Sequence, residues 1–270
     1  MSHRMITRYY EINARGISSP VHMALVTDLH SCHYGEGQAQ LISAIDAQAP
    51  DLVLMSGDIF DDRLANTNTE LFLAGISGRY PCYYVTGNHE YYGKPGEYEI
   101  RMYILKKYGV AILSNACETV YVRGSGINLC GVDDPVSYMV RFDRERDPQG
   151  YQKARARKMD TFHGHLHRLA EQAQKPFFTV LLSHRPELFE SYVSEGFDLV
   201  LCGHAHGGQW RIPGVLNGLY APHQGLFPPY AGGSYRKDNT VMIVSRGLAR
   251  ETVLVPRIFN PPELVVITLK

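Results

Sequence analysis

Long apolar runs are missing from this chain. No stretch approaches the ~20 apolar residues that cross a bilayer, and the start, Met1 to Tyr10, lacks the apolar segment of a secretory signal. The expectation is a chain with no N-terminal membrane anchor. An excess of charge of either sign is missing as well. Lys plus Arg number 27 and Asp plus Glu number 27, so no bulk field gathers nucleic acid by counterion release, and a nuclease is disfavoured. Cysteine is sparse: Cys32, Cys82, Cys117, Cys130 and Cys202 are odd in number and form no C-x-x-C pair. That usage reads as reduced thiols in a cytoplasmic setting. Internal repeats, low-complexity tracts and linkers are absent too, so residues 1–270 read as a single domain. A chain of this length buries roughly three quarters of its unfolded surface, and core volume is not limiting.

What the chain does have is a set of short apolar stretches, each ending in residues that bind metals. Val21 to Thr27 runs into Asp28-Leu29-His30, Leu52 to Ser56 into Gly57-Asp58, and Pro81 to Thr86 into Gly87-Asn88-His89-Glu90. Further on, Phe177 to Ser183 ends at His184, and Leu199 to Cys202 ends at Gly203-His204-Ala205-His206. Such runs are how buried strands look when they deliver polar side chains to the rim of a sheet. Helical stretches at about 37–48, 67–78 and 97–108 alternate with strands 21–27, 52–56 and 82–86, a βαβ rhythm. From Ala111 the pattern changes. Thr119 to Arg123 and Ile127 to Val132 flank a Gly124-Ser125-Gly126 turn, and a polar helix follows over about Tyr151 to Gln174. Strands are expected at 177–183, 198–202, 240–245 and 263–269, with a loop from Gly207 to Asn239, so that the second half forms a second sheet packed on the first.

Carboxylate, imidazole and amide oxygen make a hard to borderline donor set that suits manganese, iron or zinc. Only a carboxylate bridges two cations. With Asp58 as the bridge, two ions sit about 3.5–4 Å apart and share a water whose pKa falls to around 7, aimed in line at phosphorus. Phosphoester hydrolysis is the natural reaction of such a pair. Asn88 adds a neutral oxygen, which leaves enough positive charge to bind a phosphate oxygen.

The order D-x-H, G-D, G-N-H-E, H, G-H-x-H resembles the calcineurin-like metallophosphoesterase superfamily over roughly Val21 to Lys270. The resemblance implies an α/β fold, a four-layer αββα sandwich of two mixed β-sheets flanked by helices. It implies one metal on Asp28, His30, Asp58 and His206 and a second on Asp58, Asn88, His184 and His204. It makes His89 the residue that contacts the substrate phosphate beside Asn88 and protonates the leaving group, and Asp61 the carboxylate that orients His89. Gly207-Gly208-Gln209, the aromatic loop and the closing Val244 to Leu248 and Pro261-Pro262-Glu263 pattern are most similar to small bacterial phosphoesterases. That branch includes proteins similar to UDP-diacylglucosamine pyrophosphohydrolases and others tethered to membranes.

The remaining polar residues take quieter readings. Glu90 reads as a supporting group and not a ligand, and Asp133-Asp134 before Pro135 as a turn, with a role near the pocket rim as the alternative. His163, His165 and His167 read as an exposed face and His22 as a packing residue. Trp210, Tyr220, His223, Phe227, Tyr230 and Tyr235 suit an ordered rim over the pocket. Arg63 and Arg185 are the nearest counterparts of a phosphoryl-gripping arginine pair. The functional expectation is a dinuclear phosphodiesterase that acts on a small phosphate ester or a nucleotide-sugar or lipid-type phosphodiester, with peripheral membrane contact left open. The alternatives are a phosphoprotein or small-molecule phosphomonoesterase and a non-catalytic protein-binding scaffold.

Overall fold

The computed structural model describes residues 4–139, 147–250 and 256–270. Its first half runs β1 (Ile6–Ile12), β2 (Val21–Val26), α1 (Ala39–Asp46), β3 (Leu52–Ser56), α2 (Thr67–Ile76), β4 (Cys82–Val85), α3 (Glu97–Lys107) and β5 (Ala111–Ile112). Next come the hairpin β6 (Ala116–Val122) and β7 (Ser125–Gly131), the long α4 (Pro148–Gln172), β8 (Phe178–Leu182), α5 (Phe189–Ser194) and β9 (Leu199–Cys202). The chain closes with β10 (Tyr220–Ala221), β11 (Gly225–Leu226), β12 (Gly233–Lys237), β13 (Thr240–Val244) and β14 (Glu263–Leu269).

Two mixed six-stranded sheets form, ordered β1-β14-β2-β3-β4-β5 and β12-β13-β9-β8-β7-β6. Met23, Leu25 and Leu54 from the first sheet meet Val180, Leu182, Leu199 and Leu201 from the second in a shared apolar layer. The opposite face of β2 and β3, with Val26, Val53 and Met55, packs on Leu41, Ile45, Phe72 and Leu105 of α1, α2 and α3. Phe162, Leu166 and Leu169 of α4 and Tyr192 of α5 cover the outer face of the second sheet. The layers are therefore αββα. Because both faces of β3, β8 and β9 are buried, these strands carry unbroken apolar runs in place of alternation, which is why they stand out in the sequence.

Several expectations need correction. The final strand does not stay in the second sheet: β13 pairs with β9, but β14 crosses back and lies between β1 and β2. The hairpin turns at Arg123-Gly124, both with positive φ (47° and 81°), the two-residue geometry that matches strand twist, and Ser125 already belongs to β7. The segment 207–239 is not all loop, since it holds the small β10–β11 ladder and the edge strand β12. Gly-Ser-Tyr-Arg-Lys in β12 is largely exposed and gives no apolar signal. The reading of all five cysteines as thiols fails for one pair: Cys117 and Cys130 are register partners across β6–β7 and form a disulfide, whereas Cys32, Cys82 and Cys202 are buried thiols. Register across a hairpin is invisible in cysteine spacing, and the thiol ground for a cytoplasmic setting falls with that pair. Among the described residues, no helix is long and apolar enough to cross a membrane.

The packing between the sheets sets the first prediction. Leu201→Ala in the intersheet layer should cost roughly 2–5 kcal/mol in urea unfolding, the range for a buried leucine that leaves a cavity. Tyr121→Ala, on an exposed face, should stay within about 0.5 kcal/mol. Equal losses for the two would contradict a shared core between the sheets.

Candidate metal centre

The strands β2, β3 and β4 are mutually parallel, as are β8 and β9, so their C-terminal ends gather at one edge of the sandwich. Ser56 Oγ joins the two sheets there, reaching the carbonyls of Leu201 (2.7 Å) and Ser183 (3.0 Å). Beyond that seam the backbone turns sharply. Asp28, His30, Asp58, His204 and His206 all adopt left-handed φ between 47° and 66°. Non-glycine residues enter this region at a cost, and a cluster of them marks a site whose geometry the surroundings impose. Glycine is required beside them by close approach. A Cβ on Gly203 would lie 2.4 Å from Asp28 Oδ2, and one on Gly87 2.2 Å from Asp58 Oδ1.

Two groups of donors result, Asp28 with His30 and His206, and Asp58 with His184 and His204. Asp58 lies between them. Its Oδ1 accepts the amide of His89 (2.8 Å), whereas Oδ2 makes no hydrogen bond and faces His184 Nε2 at 3.0 Å and His30 Nε2 at 3.7 Å. His30 Nε2, Asn88 Oδ1 and His206 Nδ1 are likewise buried without hydrogen-bond partners. Four orphaned nitrogen and oxygen atoms in one buried spot are costly unless something else satisfies them. The other ring nitrogens are already committed: His184 Nδ1 donates to Ser56 O (2.9 Å), and His30 Nδ1 pairs with Asp61 Oδ2 (2.9 Å). Such outer partners turn the opposite nitrogen inward as a lone pair. The donor set therefore fits two divalent cations.

Electrostatics point the same way. Burial raises the pKa of Asp28, and the adjoining Asp58 charge adds to it. Burial works against protonation of His184, yet Asp58 and Asp28 hold its pKa up at about 10. His204 is driven well below the usual value by burial and then by Arg185 and His184, and His206 by burial and then by His30. Anions and imidazoles this close, with shifts of opposite sign, are the electrostatics of a cation-binding site.

The two neighbouring carboxylates divide their work differently from the expectation. Asp61 is bonded to His30, and its Oδ2 stands 3.8 Å from His89 Nδ1. The carboxylate hydrogen-bonded to His89 Nδ1 is that of Asp62, at 2.6 Å. Asp61 is fixed in turn by the amides of Arg63 (2.8 Å) and Leu64 (2.9 Å), which aim it at His30 and away from His89. Glu90 is a support and stands outside both donor groups. Its buried carboxylate accepts the amides of Gly87 (2.6 Å), Asp58 (3.0 Å), Ile59 (2.8 Å) and Phe60 (3.1 Å), so it shapes both loops that flank the bridge. Arg101 Nη1 holds the carbonyls of His89, Glu90 and Tyr92 at 2.8–2.9 Å.

Outside the donors, Arg185 lies buried between Asp134, which takes it in a two-point ion pair, and the rings of His204 and His223, 2.8 and 2.6 Å from its Nη1. His204 Nε2 and His223 Nδ1 are 3.0 Å apart and the rings stack. Asp134 is thus more than the turn residue its sequence context suggested, although its carboxylate also caps that turn by accepting from Val136 N. Nothing in a D-D-P tripeptide announces a partner in β8's extension, and nothing separates Asp62 from Asp61 before the turn is built. His22 does pack in its strand, against Thr268. Arg63 contributes its backbone amide to Asp61 and lies on an exposed stretch.

An αββα sandwich whose parallel strand ends hold a shared carboxylate between two histidine groups defines a metal-dependent hydrolase architecture. The sequence profile of calcineurin-like phosphoesterases matches residues 21–208, and the chain belongs to that family of metal-dependent phosphoesterases. An uncharacterized metallophosphoesterase of Helicobacter pylori is 32% identical over 189 residues, covering 68% of this chain and 44% of its own length. The chain thus spans under half of that relative. The uncharacterized metallophosphoesterase YkuE of Bacillus subtilis is 27% identical over 256 residues, with 90% of this chain and 77% of the relative covered. Among solved structures, a dimetal phosphatase from Danio rerio superposes with a TM-score of 0.53 at 12% identity, covering 84% of this chain and 88% of the other. That likeness speaks to the fold.

The division between Asp61 and Asp62 is testable. Asp62→Asn should keep metal content and depress hydrolysis of alkyl phosphodiesters, whose leaving oxygen needs a proton, more than that of nitrophenyl esters. Asp61→Asn should weaken metal retention and depress both substrates alike, because it loosens His30. The reverse assignment would follow if Asp61→Asn alone produced the leaving-group dependence.

Proposed function

We propose that the chain is a phosphodiesterase that works with two divalent ions, manganese first among the candidates, held by Asp28, His30, Asp58 and His206 and by Asp58, Asn88, His184 and His204. When bound, such ions activate water and neutralise charge on the phosphate. The residues around them supply the rest. His89 is part-exposed beside the donors, with Nδ1 held by Asp62; as an imidazolium, oriented by that carboxylate, it gives its Nε2 proton to the departing oxygen. Asn88 follows β4 into the same pocket and lines the phosphate position with His89.

The observation that carries the diester preference is the state of Arg185. Its guanidinium is compensated by the Asp134 carboxylate and has Glu187 Oε1 a further 3.6 Å from Nη1. A guanidinium so matched adds little net positive charge, which suits a singly charged diester better than a doubly charged monoester. The resemblance of Gly207-Gly208-Gln209 and the aromatic loop to small bacterial phosphoesterases supports a nucleotide-sugar or lipid-type phosphodiester as the substrate class. The same compensation argues against a phosphoprotein phosphatase, and the complete donor set against a scaffold that only binds proteins.

With manganese supplied, kcat/KM for bis-p-nitrophenyl phosphate should exceed that for p-nitrophenyl phosphate by about tenfold or more, a difference of ~1.4 kcal/mol in transition-state stabilisation. An inverted ratio would mark a monoesterase, and no turnover of either would return the scaffold. His89→Ala should keep the metals and lower kcat by roughly 10²–10⁴, the range for a lost general acid.

A further inference from the structure

The segment that follows the last donor, His206, leaves a run of large apolar side chains in water. Val215 is 82% exposed, Leu226 67%, Phe227 65% and Phe259 67%, with Trp210 and Ile212 also exposed. These residues belong to one lobe. Trp210 bridges to Ile258, Ile212 pairs with Leu216, and Tyr220 pairs with Leu226 in the β10–β11 ladder. The amide of Leu219 is tied to Gly208 O (2.9 Å) and that of Phe227 to Leu219 O (2.8 Å), so the lobe is a built surface. Isolated apolar residues on a surface need no explanation, but a concentration of them beside a site marks an interface.

The charge around the lobe says what covers it. From Leu199 to Lys237 the chain contains neither Asp nor Glu, and the lobe itself carries Arg211. His223, at the tip of the β10–β11 hairpin, feels the charge of Lys158 on α4. Around Lys158, residues 148–158 hold Lys153, Arg155, Arg157 and Lys158 and no carboxylate. An apolar lobe that carries Trp and Phe, holds no carboxylate of its own over residues 209–228 and has the basic start of α4 beside its hairpin tip has the make-up of a surface that lies in the headgroup region of an anionic bilayer.

We propose that the lobe of residues 209–228 with Phe259 docks this protein on anionic lipid bilayers, apolar side chains inserted and the basic first turns of α4 against the headgroups. The lobe begins three residues after His206, so docking brings the metal centre close to the bilayer. Docking is independent of hydrolysis, so its test stands whatever substrate the centre takes.

Trp210 is the single tryptophan of the chain and reports directly. Vesicles of equal parts phosphatidylcholine and phosphatidylglycerol should shift its emission to the blue and sediment the protein, with less binding to phosphatidylcholine alone and less at high salt. Val215→Glu with Leu226→Glu should cut the bound fraction by about tenfold or more while hydrolysis of a small soluble diester is unchanged, which shows that the variant is folded. Lys153→Glu with Arg155→Glu should remove the preference for anionic vesicles. No shift and no sedimentation with either vesicle would overturn the proposal. It would also be overturned if Trp210 shifted with protein concentration in the absence of lipid and Phe227→Glu abolished a dimer seen by ultracentrifugation, since the lobe would then belong to a second copy of the chain.

Discussion

A carboxylate buried between two groups of imidazoles is the constraint on which the rest of this structure turns. Asp58 offers one oxygen to the His89 amide and leaves the other without a hydrogen bond, facing His184 and His30. Burial of such an anion costs several kcal/mol unless charge of the opposite sign is close by. Much of the surrounding architecture keeps that carboxylate in place. Glu90 grips the amides on both sides of it, Gly87 lets the neighbouring loop approach, and Ser56 ties the two sheets directly beneath. The left-handed turns at five donor positions are the local cost of pointing every donor inward from strand ends.

Much of this was readable before the fold was known, and for a physical reason. Strands buried on both faces must be apolar throughout, so a polar residue that ends such a run stands out. Asp28, Asp58, Asn88, His184 and His204 are all of this kind, and their strands were found to within a residue or two. The helices α1, α2 and α3 fall where the βαβ rhythm puts them, between those strands. The elements that escaped include β1, β5 and β12 at sheet edges and the two-residue strands β10 and β11, all weakly buried, and the short helix α5, whose six residues are too few to show a period.

Side-chain partnerships at longer range were not readable. Asp61 and Asp62 are adjacent and chemically identical, and only the turn held by the Arg63 and Leu64 amides sends one to His30 and leaves the other to His89. Arg185 and Asp134 come from different strand ends and meet only once the second sheet is assembled. The Cys117–Cys130 bond depends on hairpin register, which shifts with the placement of one turn. In each case the missing information was geometric, held in the backbone path and not in residue type.

The central claim is that Asp58 is shared by two cations, and metal stoichiometry tests it most directly. Titration of the metal-free chain with manganese, followed by calorimetry and elemental analysis, should give two ions per chain. Asp58→Asn should lose both, because a carboxamide cannot bridge, whereas His206→Ala should retain one. A wild-type chain that is fully active with a single ion, or an Asp58→Asn variant that still binds two, would contradict the account.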